Sequence, residues 1–215
     1  NLINILELDL FSNRIEGTIP SFIYKSSGHS DSCGTGTGTG SGSVSGMRNL
    51  VKIDLHGNLL TSTIPETFGC LSNTTFIALH DNLLTGTLPS SLKKLSNLNV
   101  FQLHRNFFSG SIKDHFTHIF NHMTSLILLD FSQNDFTGIL PDDVFDKLTN
   151  IQTFAAGSNC MSSRIPKSIC NSKTLRLLMI SSMEGGFKCR YDIWAHTIFQ
   201  NTFNGFLISK NYKTE

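Results

Sequence analysis

Three histidines, His56, His80 and His104, stand 24 residues apart, in the phrases DLHGNLLTSTIP, ALHDNLLTGTLP and QLHRNFFSGSIK. Imidazole at a recurring slot could ligate a metal, move protons or make recognition pH-sensitive, because its ordinary pKa lies near neutrality. A second set, His115, His118 and His122, has the i, i+3, i+7 spacing of one helical face and could offer nitrogens to zinc. No Glu completes an H-E-x-x-H arrangement, so metalloprotease chemistry is not encoded. Neither a G-x-S-x-G elbow nor a frame of paired carboxylates occurs, and the chain reads as non-enzymatic. The tract GHSDSCGTGTGTGSGSVSG lacks the Lys-Ser/Thr that completes a phosphate-binding loop. No cofactor is expected.

The elements that must position these groups follow from the period. Aligned on an asparagine, the chain repeats L-x-x-L-x-L-x-x-N-x-L-x-G-x-I-P. Copies run over 5–20, 50–65, 74–89, 98–113, 126–141 and 151–166; a seventh, 175–183, has Met183 in the asparagine slot. The alternation L-x-L encodes a short strand with one face buried. One such strand cannot cover its leucines alone, whereas stacked copies form a parallel sheet over a continuous core. Asn13, Asn58, Asn82, Asn106, Asn134 and Asn159 form an expected ladder, each amide satisfying backbone where the chain turns inward. All five prolines fall at the end of the second short segment of a copy, where the convex side begins.

The motif resembles the leucine-rich repeat, in the plant- and algal-type extracellular form marked by L-x-G-x-I-P, over about 2–20 and 47–183. The resemblance implies an α/β repeat fold: a right-handed solenoid with a parallel concave β-sheet and an irregular or short-helical convex side. It divides the chain into a first repeat at 1–24, a Gly/Thr/Ser-rich flexible insertion at 25–46, repeats two to seven at 47–183, and an irregular segment at 184–215. The insertion has no apolar face with which to offset its ordering entropy. The segment around 114–123 is expected to be an amphipathic helix, with Phe116, Ile119, Phe120 and Met123 on one arc and the three histidines on another.

Composition narrows the function. A net charge of +1, with only 15% charged residues, leaves no basic face for nucleic acid, and no stretch is apolar for 18 residues, so no membrane span is encoded. The chain opens on Asn1 with no leader pattern, which reads as a piece of a longer protein. Five cysteines leave one unpaired within the chain; Cys160–Cys189 is the expected bridge, ahead of Cys160–Cys170. Asn73-Thr74-Thr75 is a glycosylation sequon. An extracellular or cell-surface location is what the family implies.

Within each strand the third, fifth, seventh and eighth slots face outward across the concave sheet. The seventh slot carries the histidines, which should stack as a ladder at the strand spacing of about 4.8 Å, side by side rather than around one point, so no metal site is expected there. Phe76, Val100 and Leu128 form an apolar strip beside them, flanked by Lys52, Asp54, Asp81, Gln102, Arg105 and Asp130. An apolar strip with a polar rim suits recognition of a protein, peptide or glycan ligand. The parent is read as a secreted or receptor-like protein; the ectodomain of a receptor kinase, or a structural wall or adhesion protein, are the alternatives.

Overall fold

A computed structural model describes residues 4–21, 24–25, 45–47, 49–162, 164–181 and 207–209. In chain order its strands begin with β1 (Glu7–Asp9), β2 (Glu16–Thr18), β3 (Tyr24–Lys25), β4 (Ser45–Gly46), β5 (Lys52–Asp54) and β6 (Leu59–Ser62). Next come β7 (Phe76–Ala78), β8 (Leu83–Gly86), β9 (Val100–Gln102), β10 (Phe107–Ser111) and β11 (Leu128–Asp130). The last are β12 (Asp135–Gly138), β13 (Thr153–Ala155), β14 (Cys160–Met161), β15 (Leu177–Met179) and β16 (Leu207–Ser209).

The L-x-L strands stack in the order β1-β5-β7-β9-β11-β13-β15, and β16 adds to the β15 edge. Their register joins equivalent positions of each copy, Leu8 to Ile53 to Ile77 to Phe101 to Leu129 to Phe154 to Leu178, all parallel. From Ile53 to Leu178 these residues are buried, each worth roughly 1.5–3 kcal/mol on leaving water. The expected parallel solenoid is therefore present. One edge departs from it: β16, inside the segment read as irregular, pairs antiparallel with β15 through Leu178↔Ile208. No period signals that strand, because it answers to an exposed sheet edge rather than to a repeat.

The second segment of each copy is also a sheet, in the order β14-β12-β10-β8-β6-β2 and parallel throughout. The glycine of L-x-G-x-I-P has left-handed backbone here, with φ of +78° at Gly86 and +104° at Gly110, a conformation that costs a side-chain-bearing residue. Ser62 takes that place in the second copy, at φ +70°. Prolines then hand the chain to short 3-10 turns: Pro65 precedes Glu66–Cys70, Pro89 precedes Ser90–Lys94 and Pro166 precedes Lys167–Asn171. A ring-locked φ without an N–H suits a position where no donor is needed.

The longer fourth copy builds α1 (Ile112–His118), with Ser111 as its N-cap, and a 3-10 turn at Phe120–His122; α2 (Val144–Lys147) follows in the fifth. The expected helix ends at Ile119, whose φ of −127° breaks the heptad. His118 and His122 are exposed, but His115, on the same helix as His118, is not on that wet arc. It is buried, edge-on to Phe136 at 5.4 Å between centroids, with Nε2 3.3 Å from the Ser109 carbonyl. Burial pushes its pKa down. Phe116, Phe120, Phe131, Phe136 and Phe154 pack ring to ring beneath it.

Thr74 occupies the first leucine slot of the third copy and is fully buried, its hydroxyl donating to the Leu50 carbonyl at 2.8 Å. Thr74→Val keeps the shape and strands that carbonyl. A loss of about 1 kcal/mol is expected in urea unfolding.

Residues 24–25 and 45–46 pair antiparallel, so a two-stranded ladder forms at 45–46, where the Gly/Thr/Ser insertion was read as flexible; its remainder, 26–44, lies outside the described residues. Cys70 and Cys160 are both disulfide-bonded, and Cys170 is free and exposed. That removes Cys160–Cys170 as an alternative. Cys189, the expected partner of Cys160, lies outside the described residues.

Candidate ligand-binding face

The register of the concave sheet decides which side chains meet. Strand neighbours align equivalent slots, so each outward slot becomes a file running across the repeats. In the seventh slot Phe11, His56, His80 and His104 form one stack, with ring centroids 4.9, 4.3 and 4.2 Å apart and interplanar angles of 3°, 8° and 16°. Phe11, the ring at the open end, was absent from the expected patch although it occupies the same slot.

The fifth slot separates the three imidazoles chemically. Asp54 lies 2.6 Å from His56 Nδ1. Asp130, one repeat on, brings Oδ2 within 3.2 Å of His104 Nδ1 without making a hydrogen bond. Beneath His80 the slot is Ala78, and His80 Nδ1 is buried without a hydrogen-bonding partner among the described residues. Burial, followed by the neighbouring His104 and His56, pushes the His80 pKa down to about 4, against weaker opposition from Asp81 and Asp54. The middle ring is therefore neutral at pH 7.

In the third slot Phe76, Val100 and Leu128 stand in direct register and are half-buried rather than fully exposed. Lys52 closes one end of the file, 5.7 Å above the Phe76 ring and 2.7 Å from Asp9. Gln102 lies between β7 and β11 and is also half-buried. The eighth slot turns the chain: Asp81, Arg105 and Gln133 each have φ +54°. Their side chains join along the rim, Arg105 reaching Asp81 at 3.2 Å and donating Nε–H to Gln133 Oε1 at 3.1 Å. Lys52, Asp54, His56, Phe76, His80, Asp81, Val100, Gln102, His104, Arg105, Leu128 and Asp130 thus lie on one face or its rim.

The asparagines do their work just inside that rim. Asn106 donates to the Leu79 carbonyl at 2.9 Å and the Leu103 carbonyl at 3.1 Å, and its Oδ1 accepts from Leu84 N–H at 3.0 Å. Asn58, Asn82, Asn134 and Asn159 repeat the pattern. Asn13, at the end of the stack, is exposed and bonds only within its own turn. A second asparagine file, unread in the sequence, lies at the strand entrances: Asn97 donates to Ser72 O at 3.0 Å and Asn150 to Thr124 O at 2.9 Å. Its signal was the 24-residue spacing of Asn49, Asn73 and Asn97. Asn73 is exposed there, beside an open depression of about 620 Å³ also lined by Leu6, Val51 and Thr75. That depression does not overlap the histidine patch.

Among the described residues His80, Asp81 and His104 are the one trio whose ligand atoms come within 4.8 Å of one another. Its two rings are stacked at 4.2 Å, and Arg105 lies 3.2 Å from Asp81 and competes for that carboxylate. No helix among the described residues is long and apolar enough to cross a membrane.

The family model described as Leucine Rich Repeat matches residues 4–26, 49–71 and 125–146. No curated protein sequence matches the chain. Among solved structures, the chain is similar to the plant peptide hormone receptor RGFR1 in complex with RGF2, at 28% identity and TM-score 0.68, over 84% of this chain and 25% of that one. A TDR receptor matches at 29% identity and TM-score 0.65, over 81% and 26%. The Arabidopsis receptor kinase HAESA, in complex with the peptide hormone IDA and the co-receptor SERK1, matches at 25% identity and TM-score 0.63, over 84% and 26%. The chain spans about a quarter of the length of these receptors.

Proposed function

We propose that this chain, a leucine-rich-repeat protein of the plant type, is a non-enzymatic recognition module whose concave face binds a peptide segment outside the cell. One observation carries the reading: the half-buried file Phe76–Val100–Leu128 lies on the same sheet face as the ring stack, and Asp81, Arg105 and Gln133 line the rim of that face. An apolar strip flanked by polar groups buries aliphatic side chains of a ligand while its backbone finds partners at the rim. Strands in register present such groups at each repeat, which suits an extended chain lying across the sheet. Two of the similar receptors are described in complex with peptide hormones, which supports a peptide over a glycan.

The test is selection of peptides from a random library on the immobilised protein. Val100→Arg with Leu128→Arg should weaken the selected peptides at least tenfold, the scale of losing a central contact of about 1.4 kcal/mol or more. Thr85→Arg, exposed on the second sheet, should leave them unchanged. Equal binding to all three proteins would place recognition elsewhere.

A further inference from the structure

We propose that Asn73 carries an N-linked glycan whose first N-acetylglucosamine lies in the open depression at the strand entrances and covers Val51, an assignment that rests on the chain being exported, as recognition outside the cell requires. Asn49, Asn73 and Asn97 hold equivalent places 24 residues apart, each just before the first slot of its copy. Glycan transfer needs a hydroxyl two residues after the asparagine, and those positions carry Val51, Thr75 and Asn99. Only the third copy is therefore an acceptor, and the chain holds such a triplet once. Its middle residue, Thr74, is buried and donates to the Leu50 carbonyl at 2.8 Å. On either side of it Asn73 is exposed and Thr75 half-buried, and both line the depression of about 620 Å³.

The rest of the wall suits a sugar. None of the lining residues is charged, and an apolar pair, Leu6 at 57% and Val51 at 39% exposure, stands among amides and hydroxyls. The acetyl methyl and ring face of the sugar can cover aliphatic side chains while its hydroxyls bond to amides. Strand register sets Val51 beside the attachment point: the Thr75 N–H donates to the Val51 carbonyl at 2.8 Å, and the Val51 N–H to the Leu6 carbonyl at 2.7 Å. In the transfer, Asn73 Nδ2 bonds to C1 of the sugar. The C1–O bond to the pyrophosphate of a lipid-linked oligosaccharide breaks, its electron pair leaves with the pyrophosphate, and one amide proton is released. The amide keeps one N–H, which is all that the equivalent Asn97 uses, on the Ser72 carbonyl at 3.0 Å.

The experiment secretes the intact chain behind a cleavable leader from plant cells and reads its mass before and after an amidase that removes N-glycans. One glycan is expected, and its removal should leave aspartate at position 73. Asn73→Gln should be secreted without it. So should Thr75→Val, which keeps Asn73 and the backbone bond to Val51, whereas Thr75→Ser should retain it. After trimming to the first sugar, NMR cross-relaxation is expected between its acetyl methyl and the Val51 methyls. A secreted, folded parent with Asn73 unmodified, or a first sugar without that cross-relaxation, overturns the assignment. Peptides selected on the concave face should bind the glycosylated protein and Thr75→Val within about twofold, because the depression does not overlap the histidine patch. A difference of about tenfold would put the sugar over the recognition surface and likewise overturns it. If Asn73 stays bare while Val100→Arg with Leu128→Arg still weakens the peptides, the concave reading stands and the glycan alone falls.

Discussion

Asn106→Ala is expected to destabilise the protein by about 2–4 kcal/mol, because it strands one buried N–H and removes one of two donors from each of two buried carbonyls. The amide shares the Leu79 carbonyl with Asn82 and the Leu103 carbonyl with Asn134, and accepts from the Leu84 N–H; those three residues belong to two adjacent copies. All three are buried and no water can reach them while the repeats stay stacked. The stranded N–H costs about 1–3 kcal/mol and each lost carbonyl bond about 0.5–1.5 kcal/mol, and partial relaxation of the turn keeps the total below the sum. Asn13→Ala is the internal control. Its side chain is exposed and bonds only to the Leu10 and Phe11 carbonyls, so a change under about 1 kcal/mol is expected. Urea unfolding of both variants is the measurement. Equal costs would mean that the asparagine acts within its own turn and not as a tie between copies.

This contrast also marks what was legible in the sequence. Periodicity exposes whatever each repeat does for the next, so the parallel sheet, its register and the imidazole file could all be read from spacing. Features set by a single neighbour left no periodic trace. The Asp54 and Asp130 contacts distinguish three histidines that look identical in the repeat, and Ala78 leaves Nδ1 of the middle one without a hydrogen-bonding partner among the described residues. The burial of His115 left no trace in the spacing because it comes from one contact with the next copy, the edge-on packing against Phe136. The second sheet was missed for another reason. Its strands carry exposed Thr61, Thr85 and Thr137 between buried Leu60, Leu84 and Phe136, a two-residue alternation too short to separate from a turn. The antiparallel β16 lies beyond any repeat and answers only to the edge of β15.

The stack of rings should make the fold acid-sensitive well above the carboxylate range. His80 has its pKa pushed down to about 4, chiefly by burial and then by His104 and His56, while in the unfolded chain it titrates near 6.5. Between those values the unfolded state binds the proton and the folded state does not, so stability rises with pH across that window. Its contribution is therefore complete above pH 6.5 and is lost progressively as pH falls toward 4. His115, depressed by its own burial, acts in the same direction. The groups facing His80 are His56 and His104 on either side, with Asp54 and Asp81, whose weaker opposing attraction is already contained in that lowered value. Because the ring is only half-buried, solvent screens part of the effect, and a loss of about 2 kcal/mol between pH 7.5 and pH 4.5 is expected. His80→Gln removes the titrating group without a change of charge at pH 7.5. It should weaken the stack at that pH, yet lose clearly less than the parent on acidification. Urea midpoints at the two pH values measure both quantities, and a parent and a variant that fall equally would place the acid sensitivity at His115 or the carboxylates, leaving the neutral middle imidazole with no part in it.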